Sequence, residues 1–117
     1  MAVKRIVSNI KAADPQSARQ FYGEIFDLEI VMDQGWIVTF ASDGITSPQL
    51  SVASQGGSGT PVPDLSIEVD NWDEVLSRIE ARAIPLEYGP AEEPWGVRRF
   101  FVRDPFGRLV NVLTHSG

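Results

Sequence analysis

The sequence has no cysteine and one histidine, His115. Disulfides, thiolate metal sites and cysteine nucleophiles are therefore excluded, and a histidine-rich metal centre cannot be built from one imidazole. Long apolar runs are absent too, so no stretch is expected to span a bilayer. The first residues, Lys4-Arg5-Ile6-Val7-Ser8-Asn9-Ile10-Lys11, are too polar and too short for the core of a secretion signal. A cytoplasmic protein with no membrane partner is expected. Excess positive charge is missing as well. The net charge is −6, which repels phosphate backbones and makes nucleic acid a poor partner. Arg98, Arg99, Arg103 and Arg108 cluster late in the chain; they read as a charged outer face of two strands. The Gly56-Gly57-Ser58-Gly59 run lacks the following lysine and helix of a phosphate-binding loop.

With 117 residues, the chain is long enough for one domain with a real core. Its elements recur in order. Val3–Lys11 is β-branched and reads as a strand. Asp14-Pro15 signals a helix start, by a capping carboxylate and a proline that has no N–H to lose. Ala18, Phe21, Tyr22, Ile25 and Phe26 follow at helical spacing, with an end near Asp27. Leu28–Met32, Trp36–Ala41 and Gln49–Ala53 read as strands, separated by turns at Gln34-Gly35 and Asp43-Gly44. Ser54–Pro63, rich in glycine and proline, reads as a flexible connector.

The order then begins again. Leu65, Ile67 and Val69 alternate with polar residues in a half-buried strand. Asn71 to Glu74 has capping-box spacing, and Trp72, Val75, Leu76, Ile79 and Ala83 form one apolar stripe. Strands are expected at Pro85–Tyr88, Trp95–Arg103 and Arg108–Thr114, with a loop over Gly89–Pro94 and a tight Asp104-Pro105-Phe106-Gly107 turn. The fold class is thus α+β, with two βαβββ modules: one over about residues 1–54, a linker over about 55–63 and a second over about 64–117. Each sheet would pack its helix on one face, and the two remaining faces would form a curved mixed sheet around a central cleft. Exposed sheet edges invite pairing, so a homodimer is expected.

Three stretches carry a family resemblance: Asp14 to Leu28, Leu65 to Asn71, and Phe100 to Val112 with its Asp104-Pro105-Phe106-Gly107 turn. They resemble the vicinal-oxygen-chelate superfamily of glyoxalases, bleomycin-resistance proteins and extradiol dioxygenases. Glu93-Pro94-Trp95-Gly96 resembles a stretch of the bleomycin-resistance-type members. Asp27 stands where the family usually has glycine. Metal-dependent members carry His or Glu ligands at positions that fall here on Val7, near Leu50, on Asp64 and on Asn111. One carboxylate and one amide are too few for a catalytic metal, so no metal or other cofactor is expected; a divalent metal at an altered ligand set is the alternative.

Strand alternation supplies a lining for the cleft. Val7, Asn9 and Lys11 would share one face of the first strand, and Asp64, Ser66 and Glu68 one face of the fifth. Asn111 would lie with Leu109 and Leu113, and His115 two steps beyond on the same face. Trp36 and Phe40 share a strand face that reads as core or as cleft; Trp95 is a candidate for stacking on a flat ligand. Lys11 is a candidate partner for Asp64 or Glu68. The expected function is metal-independent binding of a hydrophobic or planar small molecule by Val7, Asn9, Lys11, Trp36, Asp64, Ser66, Glu68, Trp95 and Asn111. The alternative is a lyase, isomerase or dioxygenase of the same superfamily, with Asp64 or Glu68 as catalytic base or with an atypical metal.

Overall fold

The computed structural model describes residues 3–26, 28–42 and 49–115. Asp27 and the Asp43-Gly44 turn lie outside them. Among the described residues no helix is long and apolar enough to cross a membrane. The chain divides into two compact units, Val7–Val62, and Met1–Ile6 with Pro63–Gly117. The architecture is mixed α+β.

In the unit Val7–Val62 the strands are the latter part of β1 (Val3–Lys11), β2 (Glu29–Asp33), β3 (Ile37–Ala41) and β4 (Gln49–Ala53). They lie in the order β2-β3-β4-β1. The β2/β3 and β3/β4 pairs are antiparallel and β1/β4 is parallel. Val38, Phe40 and Val52 form the core, with Ala18 and Tyr22 packed on it from the helical segment.

That helical segment corrects a sequence expectation. Instead of one α-helix to Asp27, there is a 3-10 turn at Pro15–Ser17 and then a π-helical stretch at Arg19–Ile25. Asp14 does cap the start, accepting Gln16 N–H at 3.2 Å. A π-helix closes its bonds one residue later than an α-helix. Residues four apart, Ala18 and Tyr22, therefore stay on the core face, while Phe21, Ile25 and Phe26 turn outward to 52%, 67% and 57% exposure. The expected five-residue stripe is split.

Ser54–Pro63 also departs from a loose connector. Gly56 N–H donates to Thr60 O at 2.8 Å, Thr60 N–H to Gly57 O at 3.0 Å, and Gly59 N–H to the Gln55 side chain at 2.9 Å. Gly56 serves close packing, because a β-carbon on it would sit 2.1 Å from Pro61 O, whereas Gly57 and Gly59 take positive φ.

The other unit repeats the plan with β5 (Leu65–Val69), α1 (Trp72–Ala81), β6 (Tyr88–Glu93), β7 (Val97–Arg103) and β8 (Leu109–His115). Its order is β5-β8-β7-β6, with the first and last strands again parallel and the other pairs antiparallel. Val69, Trp72, Phe100, Val102, Val110 and Val112 make its core, and Val75, Leu76 and Ile79 of α1 pack on it. Trp72 Nε1 donates to Val112 O at 3.1 Å, pinning the start of α1 to β8. Asn71 is the N-cap residue, but its amide bonds Glu74 Oε2 at 3.1 Å rather than the backbone, so the expected reciprocal box does not form. The Asp104 turn forms as read: its carboxylate takes the N–H groups of Phe106 and Arg108 at 2.8 and 2.9 Å.

β6 is displaced from the expected Pro85–Tyr88 to Tyr88–Glu93. Gly89-Pro90 looks like a loop, yet β6 is an edge strand, where a proline leaves no ladder bond unmet. The ladder shifts register between Tyr88 and Ala91. Gly89, at φ 80°, makes that bulge possible; a β-carbon there would lie 2.6 Å from Arg99 O.

Candidate functional site: a polar face opposite the second helix

In the unit carrying α1, even-numbered core residues of β7 and β8 point at the helix, so their odd-numbered neighbours share the opposite face. Register fixes the grouping. Ser66 lies across from Asn111 and Glu68 from Leu113. Phe101 lies across from Asn111, Arg99 from Leu113, and Val97 from His115. Ser66, Glu68 and Asn111, expected to share a lining, are thus brought together, and His115 stands on their face.

Glu68 is the electrostatic centre of this face. It is 7% exposed, and Lys11, offered as its partner on sequence grounds, is replaced in that role. Arg5 Nε donates to Oε1 at 2.6 Å, His115 Nδ1 lies 2.8 Å from Oε2, and Lys4 Nζ is 3.8 Å from Oε2. Burial alone would raise the Glu68 pKa and is the largest single influence. The hydrogen bonds from His115 and Arg5, with Arg5's charge, together outweigh it and hold the carboxyl below its ordinary 4.5. A carboxylate with a raised pKa, one of the sequence-based options, is therefore not what Glu68 is. His115, expected two steps beyond Asn111 on the same face, is half exposed and holds this contact.

Asp64 stands just ahead of β5. Its backbone N–H donates to Leu109 O at 2.8 Å and its Oδ2 accepts Leu109 N–H at 2.9 Å. The side chain thereby extends the β5/β8 ladder by one rung. Asn111 Nδ2 donates to Ser66 Oγ at 3.2 Å, while Asn111 Oδ1 is buried without a partner.

A buried ion pair on the same unit was not legible as such. Arg99 Nε donates to Glu93 Oε2 at 2.7 Å with both side chains 4% exposed, and Tyr88 Oη donates to the same oxygen at 2.9 Å. The guanidinium carbon lies 5.3, 5.0 and 4.8 Å from the ring centres of Tyr88, Trp95 and Phe101. Trp95, expected to stack on a ligand, has Arg99 over its ring. The reading of four arginines as an outer face holds for Arg98 and Arg103, which pair with Asp73 and Glu87, and fails for Arg99. The available signal was the placement of Arg99 between Val97 and Phe101, two apolar residues of the same parity.

The remaining expected residues belong to the unit Val7–Val62. Val7 is buried, Asn9 is half-buried and Lys11 is exposed. Asn9 lies across from Ser51, whose hydroxyl bonds Thr39 Oγ1 at 2.7 Å. Leu50 pairs with Ser8 and with the core residue Phe40, so Gln49 and Ser51, not Leu50, share the face of Val7 and Asn9. Trp36 is half-buried just ahead of β3, its carbonyl accepting Ser54 N–H at 3.0 Å. Its companion Phe40 is wholly buried in the core, 6.0 Å from the Tyr22 ring.

At the positions where metal-dependent members of the resembling family place ligands stand Val7, a residue pair Gln49 and Ser51, Asp64 and Asn111. Asp64 already accepts a backbone N–H. Among the described residues no three His, Cys, Asp or Glu side chains gather as a metal site would require. Neither Val7 with Gln49 or Ser51 in one unit, nor Asp64 with Asn111 in the other, offers the three His or carboxylate donors that a catalytic divalent ion calls for.

Residues 5–112 match the model of the Glyoxalase/Bleomycin resistance protein/Dioxygenase superfamily. No curated protein matches the sequence. Similar solved structures include an NAD-dependent benzaldehyde dehydrogenase from Legionella pneumophila (17% identity, TM-score 0.75, covering 95% of this chain and 99% of that one). A variant of methylmalonyl-CoA epimerase from Streptomyces coelicolor in complex with 2-nitronate-propionyl-CoA matches at 15% identity and TM-score 0.72, over 99% of this chain and 97% of that one. A glyoxalase/bleomycin resistance protein/dioxygenase superfamily member from Vibrio splendidus 12B01 matches at 17% identity and TM-score 0.66, over 97% and 99%. At these identities the likeness speaks for the fold alone.

Proposed function

The chain belongs to the Glyoxalase/Bleomycin resistance protein/Dioxygenase superfamily, and we propose that within it the protein binds a small organic molecule, apolar or planar, without a bound metal and without changing it chemically. The observation that carries this reading is that both acidic side chains a proton transfer would call on are engaged. Asp64 Oδ2 accepts a strand N–H. Glu68 has one oxygen on Arg5 and the other beside His115, and its pKa is lowered. A general base has to reach a substrate proton with a free lone pair and a pKa near the working pH. An isomerase reading, to which the epimerase neighbour lends its only support, would need Glu68 released from Arg5 and His115, or Asp64 turned away from its strand N–H.

Binding needs less. Leu109, Leu113 and Phe101 give the face buried apolar surface, and Ser66 and Asn111 give it a few polar atoms. That mixture suits an organic ligand. The test is native mass spectrometry of the protein purified from its source cell, followed by activity and affinity measurements on Asp64→Asn and Glu68→Gln. A co-purified organic adduct without stoichiometric metal, retained by both variants, is expected. Stoichiometric metal, or turnover of the bound compound that collapses in either variant, would overturn the reading.

A further inference from the structure

Asn111 is 7% exposed, and its amide is only half satisfied. Nδ2 bonds Ser66 Oγ, whereas Oδ1 has no hydrogen-bond partner. A buried carbonyl oxygen without a donor is an exception among folded proteins and a costly one. Nothing nearby on the face fills the gap. Across the strands stand Phe101 and Ser66, and two residues away along β8 stand Leu109 and Leu113. Two nearby cations of the same unit are held by carboxylates, Arg99 by Glu93 and Arg5 by Glu68.

Resting on the binding reading above, we propose that the ligand is a compound with a neutral N–H or O–H donor on an apolar body, and that the donor is directed at Asn111 Oδ1. An amide, indole or hydroxyl fits. An ammonium is poorly matched, because Asn111 Oδ1 is a neutral acceptor among apolar residues and cannot balance a charge. The apolar neighbours of Asn111 make the donor decisive. A ligand without one removes water from Oδ1 and returns nothing, which is how a polar site rejects a near-isostere.

The experiment titrates ¹⁵N-labelled protein with two matched pairs, indole against 1-methylindole and 2-naphthol against 2-methoxynaphthalene. Chemical shifts are followed by NMR, the Asn111 side-chain amide included. The donor-bearing member of each pair is expected to bind roughly 10–100-fold tighter and to move the Asn111 amide signals. In Asn111→Leu the two members should bind alike; if that variant does not fold, the preference within the wild type decides by itself. Equal binding of both members to the wild type means that an ordered water suffices for Oδ1; the inference then falls while the binding reading stands. If no probe binds, the compound found by native mass spectrometry decides. A compound with an N–H or O–H that is lost from Asn111→Leu supports the inference, and one without a donor, or one still retained by that variant, overturns it. A protein that binds neither probes nor any cellular compound loses both the binding reading and this one.

Discussion

Arg99 and Glu93 show how much can hang on one pair of side chains. Both are almost fully buried, at 2.7 Å, and Tyr88 shares the acceptor oxygen. Removing one partner leaves the other charge uncompensated in a poorly solvated place. Arg99→Met should therefore cost about 3–5 kcal/mol in urea unfolding. Adding Glu93→Leu to that variant should recover most of the loss, because the desolvation penalty of the stranded carboxylate disappears with it. A double variant as unstable as the single one would show that packing, not charge, governs this place. Glu68 makes a second residue-scale prediction, in pH. Its folded-state pKa is lowered, so its contribution to stability is complete above the ordinary value of 4.5 and is lost as pH falls through the lower folded value. At pH 7, Glu68→Gln should be less stable than wild type by about 1 kcal/mol, a figure kept small because Arg5 and His115 are partly solvated. The two proteins should converge in acid, below the folded-state pKa. A gap that persists unchanged at pH 2 would mean that the effect is steric.

At the scale of elements, legibility tracked how local the cause was. The strands of β-branched residues, the Asp14 cap, the Asp104 turn and the α1 stripe from Trp72 to Ile79 are set by neighbours in sequence and were readable; Ala83, expected to extend that stripe, lies beyond the helix at φ 54°. The π-helical stretch and β6 were not, and for β6 the cause lies across the fold. Gly89 is needed by the Arg99 carbonyl facing it, and nothing in Gly89-Pro90 itself says that a strand passes there. Gly89→Ala should consequently destabilise by more than about 1 kcal/mol, from both the positive φ and the 2.6 Å approach. The same substitution at Gly35, also at positive φ but with open space around it, should cost less. Chemical denaturation of the two variants side by side checks the contrast. The split helical stripe gives its own prediction: Tyr22→Ala, on the core face, should cost about 2–5 kcal/mol, and Ile25→Ser, on the outward face, within about 0.5 kcal/mol.

For the whole molecule, the twice-used plan of strand, helix and three strands was legible because it repeats, and each unit closes by pairing its first strand in parallel with its last. The candidate site was legible only as far as alternation reaches. Parity put Ser66, Glu68 and Asn111 on one face, but the partners of Glu68 come from β1 and from the end of β8, sixty-three and forty-seven residues away in sequence. No periodicity carries that information. At the scale of the whole molecule, the proposed reading without a metal can be tested directly. The family resemblance implies ligand positions at Val7 and Gln49 or Ser51 in one unit and at Asp64 and Asn111 in the other, and the proposal is that these hold no ion. Dialysis against EDTA should therefore leave the melting temperature unchanged. Zinc, nickel or manganese added to the dialysed protein should not raise it either, because a ligand that binds only the folded state must stabilise it in proportion to its occupancy. The same melts are repeated with Asn111→His, which places an imidazole on the unit that carries Asp64. That variant too should show no metal-dependent rise, since Asp64 and one imidazole fall short of three ligands; a rise already in wild type would show that the donors come from residues other than these.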